Sequence, residues 1–362
     1  MTEHERRLDS LRAHMAAQGV DLVAIGPTAN MRYLAGFVPH PDERLCLLLI
    51  SAQGVCTVVP KLNAEEGSAH VKLPLYTWAD DEGPTAALQA ALAGLPAVKS
   101  LVVDGAMRAD FLLPLQAATQ PGQVTPVAPL IGPLRVRKSP EEIEALARAA
   151  ALADQAMRVA FAACQPGVAE SEVAWAVEEA LRRDGAQEVD FTLVAAGPNG
   201  AYPHHHSGPR RLQAGDAVVI DFGATLDGYK SDVTRMVFLG QPPDEFLQAY
   251  AAVLEANTRG REAVRPGVLA KEVDQAALST LQARGYGDYF VHRTGHGLGL
   301  EIHEAPWISA VSETVLEPGM VFSVEPGVYL PGEFGIRIED IVVVTEDGHR
   351  CLTGLERTLR VV

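Results

Sequence analysis

Two aspartates, Asp221 and Asp232, stand eleven residues apart in the run VVIDFGATLDGYKSDVTR at 218–235. Val218, Val219 and Ile220 are apolar and β-branched, so the run opens as a strand with Asp221 at its exit. A polar, glycine-containing turn at 226–230 reverses the chain. Asp232 arrives on the return strand with Val233 and Met236. This reads as a hairpin that brings two acids to one face of neighbouring strands. Carboxylates held that close repel, and one keeps its proton unless a cation lies between them. A divalent metal is the usual resolution, and oxygen-rich pairs suit Mn²⁺, Co²⁺ or Zn²⁺. Either aspartate alone reads more simply as an ordinary turn or edge residue.

Four further clusters carry groups of the same chemistry. Pro203-His-His-His206 precedes the first aspartate. The run FVHRTGHGLGLEIH at 290–303 holds His292, His296 and His303. Ser323-Val-Glu-Pro-Gly-Val-Tyr329 puts Glu325 at a strand end. Gly335-Ile-Arg-Ile-Glu339 alternates, so Arg337 and Glu339 are expected on one strand face. Singly, His204–His206 reads as a solvated loop and Glu325 as a salt-bridged strand end. Gly295, Gly297 and Gly299 loosely resemble a phosphate loop, but no Gly-Lys-Ser/Thr and no βαβ unit follows, which argues against nucleotide binding. Together, two Asp, one His and two Glu beside strands or turns make a complete ligand set for two metal ions.

The elements that must position these groups follow from the rest of the chain. Its 362 residues suit two domains. A net charge of −16 argues against nucleic acid or an anionic membrane as partner and fits a cytoplasmic enzyme. Cys46, Cys56, Cys164 and Cys351 are scattered without a CxxC and read as buried thiols of a reducing compartment. The charged start MTEHERRLDS has no apolar signal region, and no apolar run approaches the ~20 residues of a membrane span. Helices are expected at 2–18, 84–95 and 109–119, and strands at 21–25, 45–50, 56–59 and 100–103. This alternation predicts an α/β domain over residues 1–131. A proline-containing connector, 126–133, ends it. Ser139-Pro-Glu-Glu142 is a capping box with proline at the first helical position, and starts a helix running to about 163. Helices near 170–183, 244–263 and 270–284 among mostly antiparallel strands predict an α+β domain over 132–362.

The order Asp221-Phe-Gly, Ser231-Asp-Val-Thr-Arg, Gly295-His-Gly-Leu-Gly, Val324-Glu-Pro-Gly and Arg337-Ile-Glu-Asp resembles the pita-bread metallopeptidases, a family that includes methionine aminopeptidase, aminopeptidase P and prolidase. Asn30–Phe37 resembles a segment of their creatinase-like N-terminal domain, and 137–142 resembles their linker. Methionine aminopeptidases lack that N-terminal domain, which favours the proline-specific branch. The resemblance implies a creatinase-like α/β domain followed by a pita-bread catalytic domain with a curved, mainly antiparallel sheet.

It also implies two divalent ions, Mn, Co or Zn, held by Asp221, Asp232, His296, Glu325 and Glu339. Glu325 is then the general base. His204, His292 and His303 face the substrate, and Tyr329 and Arg337 lie close behind. The expected substrates are small peptides with proline second, foremost dipeptides, cleaved by a cytoplasmic homodimer. Aminopeptidase P is the nearest rival. Creatinase, which lacks metals, is disfavoured by the five ligands. A catalytically inert peptide-binding module on the same fold would be expected to lose ligands, and none is missing. A dipeptidase must recognise a free carboxylate, for which a planar Arg is suited. Trp307 stands where many prolidases place that Arg, after His303-Glu-Ala-Pro306. Arg337, Arg293 and Arg44 could replace it, Arg44 first, on a loop expected to close over the cleft; the simpler reading of Arg44 is a surface pair with Asp42 or Glu43.

Overall fold

The computed structural model describes residues 2–70 and 72–362. The chain divides into two compact units, Met1–Arg135 and Val136–Val362.

The first unit is built on a six-stranded mixed sheet. Its order is Leu75–Trp78, Val55–Pro60, Leu47–Ser51, Leu22–Ile25, Ser100–Val103 and Gln123–Pro126. Leu22, Leu47, Leu101, Phe111 and Leu115 are fully or almost fully enclosed in its core. The first helix, Glu3–Gln18, is closed at both ends as its sequence predicts: Thr2 and Glu5 form a capping box, and Gly19 takes the left-handed cap at φ 65°. The expected connector at 126–133 is instead a helix, Ala128–Arg135. Pro129 falls in its first turn, where an amide proton has no intrahelical partner to lose. His14 Nδ1 donates to the Leu130 carbonyl at 3.1 Å and ties this helix to the first one.

In the second unit the helices Pro140–Ala163 and Glu170–Arg183 are followed by strands, as are Asp244–Ala263 and Ala270–Ala283. The second helix of each pair and the turn before it repeat at a spacing of one hundred residues. Pro166-Gly-Val168 joins the first pair and Pro266-Gly-Val268 the second. Gly167 and Gly267 both adopt positive φ, 91° and 85°, which a side chain resists. Their amides donate to Leu212 and Leu316 at 2.7 and 2.8 Å. Glu172 and Glu272 then cap their own helices through the amides of Ala169 and Leu269.

The strands form three sheets. One runs Arg360–Val361, Val233–Phe238, Ala217–Leu226 and Glu188–Ala196, with Tyr229–Lys230 attached. A second runs Glu304–Ile308, Gly295–Gly297, Val321–Val324, Asp340–Val344 and His349–Cys351. The hairpin Gly327–Leu330 with Phe334–Arg337 is the third. All pairings but one, Val233–Phe238 with Arg360–Val361, are antiparallel among the described residues. The architecture is the α/β plus α+β arrangement expected, with the second unit's ladder divided among these sheets.

Candidate metal centre and pocket

The expected hairpin is present, but it is longer than its sequence suggests. Ala217–Leu226 continues past Asp221 and turns at Asp227-Gly228, both with positive φ. Asp221 therefore sits in mid-strand, opposite Thr234, rather than at a strand exit. Asp232 directly precedes the return strand Val233–Phe238. Glu325 follows the strand Val321–Val324, at the end where it was expected. Glu339 differs: it lies in the two-residue break between Phe334–Arg337 and Asp340–Val344, so it shares no strand with Arg337. His296 is central in Gly295–Gly297. A Cβ on Gly295 would stand 1.9 Å from the Ser323 carbonyl oxygen, and one on Gly297 2.2 Å from that of Ala305. Both glycines are required by that backbone approach, and they set His296 between its two neighbouring strands.

These elements bring the five ligand-type side chains to one cavity of about 570 Å³. Asp232, His296 and Glu339 are 5%, 4% and 1% exposed. One ligand atom from each of these three lies within 4.8 Å of the others. His296 Nε2 is 3.1 Å from Glu325 Oε1 and 3.7 Å from Asp232 Oδ2. His296 Nδ1 contacts the Gly297 carbonyl at 3.2 Å. A carbonyl only accepts, so the proton is on Nδ1 and Nε2 is left facing two carboxylates. Among the described residues, Oδ1 of Asp221 and Oε1 of Glu339 are buried without a hydrogen-bond partner.

Burial, and then repulsion from Glu339, Asp221 and Glu325, holds the Asp232 carboxyl well above the ordinary range. Burial and the charges of Glu325 and Asp221 do the same to Glu339. Asp221 is raised by burial in spite of Arg337 beside it. Burial would raise Glu325 too, but the His296 hydrogen bond and nearby positive charge bring it down to about 2. Orphaned oxygens, crowded acids and an imidazole nitrogen aimed among them are the donor set a divalent cation satisfies. The residues fit a metal.

A hydrogen-bonded chain runs behind this cluster. Arg337 pairs with Asp221 and donates to the Tyr329 hydroxyl at 2.6 Å and to Thr234 Oγ1 at 3.1 Å. Thr234 in turn donates to Glu339 Oε2 at 2.8 Å. Ser323 donates to Glu325 Oε1 at 2.9 Å. Thr234 and Ser323 were not among the expected site residues, although each stands two residues from an acid of the cluster, the spacing that repeats a strand face.

The histidines divide by environment. His292 donates from Nδ1 to the Arg293 carbonyl at 2.8 Å, so its Nε2 accepts from Tyr329, 2.9 Å away. Both its nitrogens are occupied. Burial lowers its pKa. The His303 ring lies perpendicular to that of His296, 4.2 Å between centroids. It opens to solvent on one side, yet loss of hydration, with His296 and Arg293 nearby, lowers it to about 4. His204 is exposed on the cavity wall. His205, to which the sequence analysis assigned no role, is an anchor: Nε2 meets Glu170 Oε2 at 2.9 Å. Glu170 is fully buried and also accepts from the Ala196 amide, the Asn199 side chain and the Gly208 amide. Arg44 stands in the first unit with its guanidinium shared among Asp42, Glu43 and Asp80. A second cavity, about 610 Å³, is lined by Arg261, Asp340, Cys351 and Arg357. Its arginines are committed to Asp340 and Asn257, away from the acid cluster.

Residues 144–346 match metallopeptidase family M24, and residues 7–137 match the creatinase/prolidase N-terminal domain. The chain is 41% identical over 353 residues to a probable dipeptidase PepE of Mycobacterium tuberculosis, covering 95% of this chain and 93% of that one. It is 35% identical over 356 residues to an Xaa-Pro dipeptidase of Pyrococcus furiosus, covering 98% and 99%. The crystal structure of a prolidase from Thermococcus sibiricus superposes with a TM-score of 0.95 at 34% identity, over 100% of both chains. The protein belongs to metallopeptidase family M24. It is a metallopeptidase that depends on divalent metal. Among the described residues, no helix is long and apolar enough to cross a membrane.

Proposed function

We propose that this metallopeptidase hydrolyses the bond between any residue and a following proline, foremost in dipeptides. The observation that carries the reading is the convergence of Asp221, Asp232, His296, Glu325 and Glu339 with three histidines on one cavity of peptide size. Full-length likeness to proteins named dipeptidase and Xaa-Pro dipeptidase supports it. The five acid and imidazole side chains would hold two divalent ions, manganese, cobalt or zinc. When bound, such ions supply Lewis-acid polarisation of a carbonyl and acidify water.

The chain's own groups do the rest. Glu325, whose carboxylate lines the cavity, takes the proton of the attacking water and returns it to the leaving nitrogen. His303, neutral at pH 7, donates an N–H to the scissile carbonyl oxygen as negative charge grows there. His204 faces the substrate backbone from the cavity wall. His292 reaches substrate only by giving up Tyr329, and until then it holds that hydroxyl in place. Phe191, Leu193 and Ile302 line the cavity and offer an apolar wall to the pyrrolidine ring. A cytoplasmic homodimer belongs to the same proposal, on likeness to the family.

The test compares Leu-Pro, Leu-Ala and Leu-Pro-Pro with the Mn²⁺-loaded protein. Leu-Pro should be cleaved with kcat/KM at least roughly tenfold above Leu-Ala, the discrimination an apolar pocket can reach. It should also exceed Leu-Pro-Pro. A preference for the tripeptide would move the protein to the aminopeptidase P activity, and cleavage of neither proline peptide would end the reading.

A further inference from the structure

Arg293 is the uncommitted cation of the cavity. Its guanidinium lies over the Trp307 ring, with Cζ 4.3 Å from the centroid. Among the described residues its side chain makes no hydrogen bond and no ion pair. The other arginine lining the cavity, Arg337, is spent on Asp221, Tyr329 and Thr234. Arg44 would have to leave Asp42, Glu43 and Asp80 before it could bind anything else. The acids Asp221, Asp232, Glu325 and Glu339 line the same cavity and are the groups that would hold metal. Arg293 is the side chain of that wall whose N–H groups are left for an anionic group of a substrate.

The stacking suits that task. A guanidinium laid on an indole keeps one face covered and leaves its N–H edges free for a planar, two-bond grip on a carboxylate. The stack also limits the rotamers that Arg293 must give up when a ligand binds. Arg293 follows His292 in the chain and bears electrostatically on His303, so its reach includes the substrate-facing end of the cavity.

We propose that Arg293, held on Trp307, receives the C-terminal carboxylate of a short peptide and thereby sets the preference for dipeptides. The proposal rests on the peptidase reading above. A residue added after proline would convert the gripped carboxylate into a neutral amide and move the charge one residue away.

The experiment uses the Mn²⁺-loaded wild type, Arg293→Ala and Arg293→Lys, with Leu-Pro and Leu-Pro-amide as substrates. Wild type should favour the acid over the amide. Arg293→Ala should raise KM for Leu-Pro relative to the amide by about 10–100-fold, the loss expected for a charge-assisted pair. Arg293→Lys should restore part of that preference, since it keeps the charge and loses the fork. A second readout needs no turnover: quenching of tryptophan fluorescence by L-proline and by L-prolinamide. Proline should saturate wild type at the lower concentration, and Arg293→Ala should erase the difference. If wild type cleaves Leu-Pro and its amide equally well and binds proline and prolinamide alike, the role of Arg293 is overturned while the peptidase reading stands. If wild type cleaves no proline peptide yet binds proline through Arg293, the peptidase reading falls and the carboxylate site stands.

Discussion

The proton on His296 Nδ1 decides what its other nitrogen can do. With Nδ1 given to the Gly297 carbonyl, Nε2 faces Glu325 at 3.1 Å and Asp232 at 3.7 Å, where a metal would be held. At the acids around it, protons and a metal compete. Asp232 and Glu339 are raised by burial and by their neighbours, so the metal-free fold keeps protons that an unfolded chain has lost. Their contribution to stability is full below the ordinary carboxylate range and is lost as pH rises through the raised values. A metal must displace those protons. Binding of Mn²⁺ to metal-free protein should therefore release protons at pH 5 to 7, above the ordinary carboxylate range. Calorimetry in two buffers of different ionisation heat measures it. Heats that do not depend on the buffer anywhere in that range would show that the acids are already ionised and that the repulsion argument is wrong.

At the scale of elements, the site was legible wherever one short run of chain carries both a strand and its acid. The Asp221–Asp232 hairpin, the Glu325 strand end and the capping box at Ser139 follow from residue types and spacing alone. The position of Asp221 in mid-strand did not, because the β-branched run that marks the strand stops at Ile220 while the ladder continues to Leu226. Glu170 was invisible for a different reason. It opens the helix Glu170–Arg183 as an ordinary first-turn acid, and only the fold turns it inward to bind His205 and the Gly208 and Ala196 amides. That makes it the clamp of the loop carrying His204. Glu170→Ala leaves several buried donors without an acceptor. It should cost on the order of 3 kcal/mol in denaturant unfolding and lower hydrolysis by freeing the loop. His205→Ala should cost less, since the backbone donors keep their partner. An Glu170→Ala protein with the wild-type unfolding midpoint would remove the clamp from the account.

For the whole molecule, motif order carried the family reading, because five short runs spread over 221–340 keep one sequence of ligand types. The family matches cover residues 7–137 and 144–346, as that reading expects. What motif order does not show is contact between groups with no common pattern. Arg293 and Trp307 lie fourteen residues apart and meet only because Gly295–Gly297 pairs antiparallel with Glu304–Ile308. The hundred-residue repeat was hidden for the opposite reason. Pro166-Gly-Val168, Glu172, Val173, Leu181 and Gly185 recur as Pro266-Gly-Val268, Glu272, Val273, Leu281 and Gly285, but the helices around them differ at most other positions. Both halves converge on one acid cluster, and the central claim is that this cluster works by holding metal. Its most direct test is a titration: protein stripped by chelation, Mn²⁺ added stepwise, and Leu-Pro hydrolysis and bound metal measured on the same samples. Hydrolysis should be absent at the start, rise with bound metal and level off near about two ions per chain; full hydrolysis in a sample shown by elemental analysis to be metal-free would contradict it.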